Sequence, residues 1–337
     1  MGQRGHHEHE PSQHAPPALF ATAAKGTEGA LRDELRERGF RGVRADRGGV
    51  AFAGDVLEGA RACLELRIAV RVLLELGHFP ARDADELYAG VSSIDWAPFV
   101  SPDGTLAVRV AGTHAQLVHS QFTARRTKDA IVDALRRRFG RRPSVDLDAP
   151  DLLVFVHLKD EHARVYADIA GESLHRRGYR TRIGDAPLKE NLAAALLRLS
   201  GWDRRSPLLD PLCGAGTIAI EAAQWAQGRA PGVDRALGAA RWPLWDDTLR
   251  RRYDELVGSA RARPSSSACA TRDASTLRTP WAPSSPTHPT ASASRAASPS
   301  TGTSPAAFTP CGPIASRSSR APPTSGAPSE SHGAGSP

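Results

Sequence analysis

The stretch Leu208-Leu209-Asp210-Pro211-Leu212-Cys213-Gly214-Ala215-Gly216-Thr217-Ile218-Ala219-Ile220-Glu221-Ala222-Ala223 decides how the rest of the chain is read. It reads as a buried strand end, a tight glycine turn and the start of an apolar helix. Gly214 and Gly216 lack the Cβ atoms that keep a ligand off the backbone. A helix opening at Thr217 aims its first N–H groups into the same space. The pattern is that of a small-molecule cradle of the nucleotide-binding α/β kind. A nicotinamide dehydrogenase is disfavoured, because Thr217-Ile218-Ala219 follows the G-x-G without a third glycine at the fingerprint position.

Upstream of the cradle, Pro187 suits the first turn of a helix on which Leu192, Ala195, Leu196 and Leu199 keep helical spacing up to Gly201. Downstream, Arg241 to Trp245 and Leu249 to Leu256 form a further amphipathic segment. Further out, strands alternate with helices. Leu19 to Thr22, Arg41 to Ala45, Val50 to Ala53 and Arg71 to Leu76 read as strands, with helices over Thr27 to Arg38 and after a capping Asp55. The theme then repeats, with a helix from Asp83 to Val91, a strand at Thr105 to Val110, a helix from Ser120 to Phe139 and strands at Leu152 to Leu158 and Val165 to Ile169. Two small α+β layers account for this order.

The helix over Ser120 to Phe139 carries Ala130, Ile131, Ala134 and Leu135 on one face and Arg125, Arg126, Lys128, Arg136, Arg137 and Arg138 around the rest. Cations so placed neutralise phosphates and release counterions, although a solvated helix face explains them equally well. The whole chain has 337 residues and a net charge of +7, which favours polyanionic partners, RNA or DNA first. The bland account is a GC-rich genome that encodes arginine freely. Four scattered cysteines, Cys63, Cys213, Cys269 and Cys311, support neither a zinc site nor a disulfide framework, so a reducing cytoplasm is the simplest setting. No apolar run approaches a membrane span, and no membrane partner is expected. His6, His7, His9 and His14 lie in a polar stretch read as a disordered tail, and no metal is expected.

Three stretches resemble the THUMP-domain class I methyltransferases, which use S-adenosyl-L-methionine to modify RNA. Thr127-Lys128-Asp129-Ala130-Ile131-Val132-Asp133 looks like the THUMP helix signature. Leu174-His175-Arg176-Arg177-Gly178-Tyr179-Arg180, with Ala186-Pro187-Leu188-Lys189-Glu190-Asn191, is similar to the lead-in of the methyltransferase domain. Asp210 to Thr217 looks like its first cofactor motif. The chain is most like the bacterial family that methylates N2 of a guanine in 23S ribosomal RNA.

The resemblance implies an α/β chain in five parts. These are a disordered tail at 1–17, a ferredoxin-like segment at 18–78, a THUMP RNA-binding domain at 79–172, the first half of a Rossmann-like methyltransferase domain at 173–258, and a low-complexity tail at 259–337. It implies direct methyl transfer to an exocyclic guanine nitrogen, with the protein supplying positioning and a desolvated pocket. Asp210, Pro211, Cys213, Gly214, Gly216 and Thr217 would line the cofactor, closed by the turn at Pro187 and Leu188. Asp210 would accept its hydrogen bonds, and Cys213 is read as packing rather than as a catalytic thiol. Arg125, Arg126, Lys128, Arg176, Arg177 and Arg180 are the expected contacts to structured RNA, 23S ribosomal RNA by family. His175 is read as structural or RNA-facing.

Two elements of that family are missing from the printed sequence: an acidic residue after the second strand, for the ribose, and an Asn-Pro-Pro-Tyr motif for the target base. From Ser259 to Pro337 the chain has no Val, Lys, Asn, Gln, Tyr or Met. A genuine disordered tail is one reading. A reading-frame shift near Gly258 is the sharper one. Codons for Pro286 to Ser294, read one base earlier, permit Asn-Pro-Pro-Tyr-Gly-Glu-Arg-Leu. The expectation is an RNA-binding half that is intact and a catalytic half that is crippled, with no catalytic residue in this frame. The rival functions are an RNA-binding module without activity and an N6-adenine DNA methyltransferase.

Overall fold

A computed structural model describes residues 18–179 and 188–262. The expected tail at 1–17, Arg180, Pro187 and everything from 263 onward, including the out-of-frame motif, lie outside the described residues.

The first half begins with β1 (Ala18–Thr22), α1 (Glu28–Glu37), β2 (Arg41–Asp46), β3 (Gly49–Ala53), α2 (Val56–Glu65) and β4 (Arg71–Pro80). It continues with α3 (Ala84–Ser92), β5 (Thr105–Thr113), α4 (Ser120–Phe139), β6 (Ser144–Val145), β7 (Leu152–Lys159) and β8 (His162–Asp168). Local chemistry sets several boundaries. The Asp55 carboxylate accepts from the Glu58 amide at 2.9 Å and opens α2, and Asp83 opens α3 by accepting from Asp85 and Glu86. Gly140, at φ +70°, closes α4 in the left-handed region that a side chain resists.

The two expected layers are one sheet. Its order is β2-β3-β1-β4-β8-β7-β5-β6, joined where β4 pairs antiparallel with β8 over Leu73–Pro80. Period-2 burial explains the join: Ala163, Val165 and Ala167 are fully buried on the face shared with Val72 and Leu74 of β4. Leu31 and Leu35 from α1, Leu87 and Val91 from α3, and Ile131 and Leu135 from α4 complete this core. Trp96 is sealed into it, with its indole N–H donating to the Val91 carbonyl at 2.9 Å.

The second half is built differently. Among the described residues no strand follows β8. It holds α5 (Glu190–Leu199), α6 (Thr217–Ala226), a 3-10 turn at Gly238–Arg241 and α7 (Asp247–Ala262), which runs four residues into the stretch expected to lack structure. The expected strand before the glycine turn is corrected here. Pro207 to Asp210 is irregular, and Leu209 and Leu212 are 79% and 92% exposed. A parallel strand is held by neighbours on both edges, and none is present among the described residues.

A glycine cradle pinned by a buried arginine–glutamate cluster

The cradle has the expected turn and helix. Gly214 and Gly216 sit at φ +51° and +73°, where an L side chain is strained. A Cβ on Gly214 would meet nothing within 4 Å, and one on Gly216 only the Ile220 tip at 4.0 Å, so the space above the turn is open. The Gly216 amide donates to the Cys213 carbonyl at 2.7 Å, tightening the turn. The first bond into α6 runs from Ile220 N–H to Gly216 C=O at 2.9 Å, which leaves the positive end of the helix facing that space. The Asp210 carboxylate accepts from the Leu212 amide at 3.2 Å, and Cys213 is exposed and free. Thr217 is buried at the head of α6, and Leu188 lies just ahead of α5. These residues fit one edge of a cofactor site. Nothing among the described residues supplies the ribose-holding acid or the base-holding motif.

What fixes α6 in place is a set of buried charges. Glu221, one turn into the helix, has 0% exposure. Its two carboxylate oxygens receive Arg67 Nη1 at 3.4 Å and Arg177 Nε at 3.2 Å, and the Tyr179 hydroxyl donates to it at 3.1 Å. Arg67 leaves the loop between α2 and β4 and also donates to the carbonyls of Gln224 (3.1 Å) and Arg229. Arg177 donates to the Leu174 carbonyl at 3.2 Å and to that of Arg67 at 2.5 Å. Glu34 of α1 accepts from the Arg67 and Ile68 amides at 2.9 and 3.1 Å. Two guanidinium groups therefore share the one carboxylate of Glu221, while Glu34 is satisfied by backbone amides, which is how buried charge is tolerated. Burial is still felt: it lowers the Arg67 pKa to about 10, and it raises Glu34 despite its two amide donors. Burial and Glu221 together push the Tyr179 hydroxyl up.

This cluster corrects one expected RNA contact. Arg177 is 8% exposed and committed internally, so its guanidinium is not presented to a phosphate. Arg176 is exposed and pairs with Glu172 at 3.1 Å. On α4, Arg126 donates to Asp85 at 2.6 Å and stacks on Tyr88, while Lys128 pairs with Asp129 at 2.5 Å. Arg125 is exposed with no ion-pair partner among the described residues. Sequence reasoning missed Arg67, Glu34 and Glu221 as a unit. The one available signal was a lone carboxylate, Glu221, among the alanines of α6.

A cavity of about 500 Å³ lies near the other end of α6, lined by Asp33 and Glu37 of α1, Arg198 of α5, and Trp202 and Trp225. The cradle glycines take no part in it.

Comparison with known proteins agrees with this layout. Residues 18–73 match the RlmL ferredoxin-like domain, 81–168 the THUMP domain, and 177–277 the RMKL-like methyltransferase domain. A protein of Magnetococcus marinus named ribosomal RNA large subunit methyltransferase K/L is 46% identical over 228 residues, covering 66% of this chain and 32% of its own. One of the same name from Syntrophotalea carbinolica is 44% identical over 245 residues, covering 70% and 34%. The chain thus spans about a third of these curated relatives. Among solved structures, SMU.472, a methyltransferase candidate complexed with SAH, is 34% identical with a TM-score of 0.66, covering 74% of this chain and 65% of that one. A candidate N6-adenine-specific DNA methylase from Listeria monocytogenes is 31% identical with the same TM-score, covering 74% and 64%. With these matches in tandem, and relatives at 46% and 44% identity, the chain carries a ferredoxin-like, a THUMP and an RMKL-like methyltransferase domain match in that order.

Proposed function

We propose that this chain is the RNA-binding and cofactor-cradling part of an S-adenosyl-L-methionine-dependent ribosomal RNA methyltransferase. The expected target is N2 of a guanine in 23S ribosomal RNA. The observation that carries the reading is the open glycine turn at the head of α6, downstream of a THUMP-matching segment. The cofactor, when bound, supplies a methyl group activated at a sulfonium centre. Gly214 and Gly216 would let its methionine part approach the backbone, Asp210 would accept its hydrogen bonds, and the Pro187-Leu188 pair of the sequence would help close the pocket. Arg125, Arg126, Lys128, Arg176 and Arg180 hold the RNA.

Catalysis is impaired in the chain as printed, because the acid and the base-holding motif are absent from the sequence in this frame. Isothermal titration with S-adenosyl-L-methionine is the direct test. Binding weaker than micromolar is expected, and micromolar binding would refute the incomplete site. Sequencing the coding DNA across codons 255–295 tests the frame shift, which fails if the earlier frame holds stops or lacks Asn-Pro-Pro-Tyr. An RNA-binding module without activity is the second reading, favoured by the lack of any strand after β8 among the described residues. Methyl transfer to unmodified ribosomal RNA separates the two. Competition between structured RNA and duplex DNA tests the DNA methyltransferase alternative.

A further inference from the structure

The helices cover one face of the eight-stranded sheet, and the other face has a composition that this reading has not used. On β8, Ala163, Val165 and Ala167 point into the core, so His162, Arg164, Tyr166 and Asp168 lie on the opposite side, which is open at His162 and Arg164 and covered at Tyr166 and Asp168. Register carries that side across four strands. Arg164 stands between His78 of β4 and His157 of β7, His162 stands beside Lys159, and Phe155 stands between Tyr166 and Arg109 of β5. His78, Arg109, His157, Lys159, His162 and Arg164 are all exposed. The His78 and His162 rings lie 5.5 Å apart, and Arg71 lies 5.5 Å over the Phe155 ring.

Charge on this face is lopsided. Arg164 has two carboxylates near it, the half-buried Glu75 at 3.7 Å and Asp46, while Arg109 and Lys159 have no ion-pair partner among the described residues. Burial and the nearby Arg164 hold His78 and His157 below the ordinary imidazole pKa, so at neutral pH they present uncharged ring faces. Cations at the margins and flat rings between them suit a polyanion whose bases are unstacked. A duplex offers its phosphates but hides its base faces.

We propose that the open end of this face of β4, β8, β7 and β5 takes up an unpaired stretch of RNA, with Arg109, Lys159 and Arg164 on its phosphates and His157 and Phe155 against its bases. This rests on the RNA-binding reading above but moves the principal contact from α4 to the sheet.

The test uses the full chain and a short, unstructured, fluorescein-labelled RNA in an anisotropy titration across salt concentrations. In Arg109→Ala/Lys159→Ala the slope of log affinity against log salt falls by about 1.4, the value for two lost single-strand phosphate contacts. His157→Ala weakens binding by about 5- to 150-fold, the range for one lost stacking platform, with the salt slope unchanged. Both variants keep the parent circular dichroism spectrum and melting temperature. The proposal is overturned if these variants bind as the parent does while Arg125→Glu/Arg136→Glu abolishes binding, which leaves the RNA reading standing. It is overturned equally if duplex RNA outcompetes the single strand, or if the face captures a protein segment instead. A chain that binds no RNA at all removes the RNA reading and this inference together.

Discussion

Between Ala18 and Asp168 each helix lies on strands of one continuous sheet. Between Glu190 and Ala262 no strand is present among the described residues, and α5 packs on α6 and on α1 while α7 packs on α2. The first region buries aliphatic side chains in a shared core. The second adds Ala194, Ala195, Leu237 and Trp242 to that core but leaves Leu199, Leu209 and Leu212 mostly in water and has Glu221 fully buried. Its order comes from attachment to the first region. Backbone bonds run from Leu174 to Val70 at 2.8 Å and from Gly232 to Leu64 at 3.0 Å, and Arg67 reaches into α6. The cradle is therefore placed by the ferredoxin-like layer more than by a sheet of its own.

The largest effect should come from cutting that attachment. Glu221→Ala leaves Arg67 and Arg177 buried without their carboxylate, and such a deletion costs about 3–5 kcal/mol. Hydrogen exchange should show it as lost protection over Thr217–Ala226, with β7 and β8 unaffected. If α6 stays protected, the cluster is not what holds the cradle. Ile131→Ala in the sheeted region should cost about 2–5 kcal/mol, because Ile131 is fully buried between α4 and the sheet. Its loss appears in the global urea midpoint, in contrast to the local loosening at α6.

A third effect sits at the seam. Asp168 ends β8, is buried, and pairs with Arg71, which also donates to the Gly171 carbonyl at 2.8 Å. Burial outweighs the ion pair and raises the Asp168 pKa from 3.8 to about 6. In that window the native state keeps a proton that the unfolded chain has released. This group's contribution to stability is therefore fully present below the unfolded pKa and declines as pH rises towards the folded one, by at most about 1.4 kcal/mol per pH unit. Asp168→Asn should remove the decline, seen as a flatter urea midpoint across that range. An unchanged profile would mean that the carboxyl is not raised.

The same contrast explains what the sequence disclosed. The α4 expectation, Ser120 to Phe139, coincides with the observed helix because Gly140 and the apolar stripe are local signals. Asp55 as a cap was likewise readable from its own neighbours. The β4–β8 junction was not, since pairing residues about ninety positions apart leaves no local trace. Leu208 to Asp210 has strand composition, but a strand in a parallel sheet is a property of its neighbours. At the cradle, Gly214, Gly216 and the start of α6 were legible from turn chemistry. The burial of Arg177 was not, because Arg176 and Arg177 look alike until Glu221 arrives from 44 positions away.

The smallest expected effect is the one that tests the contrast most directly. Leu209→Ser and Leu212→Ser should each change stability by no more than about 0.5 kcal/mol, because both side chains already sit in water. In a finished doubly wound domain the same positions would border a buried strand, and a serine there would cost what Ile131→Ala costs. Urea denaturation of the two variants beside Ile131→Ala therefore measures directly whether the cradle has a sheet behind it. A core-sized loss at Leu209 would mean that these leucines are covered in solution and that the methyltransferase half is more complete than its exposed surface indicates. A near-zero loss would fix the difference between the two regions, among the described residues, as one of strands absent from the cradle rather than of weak packing.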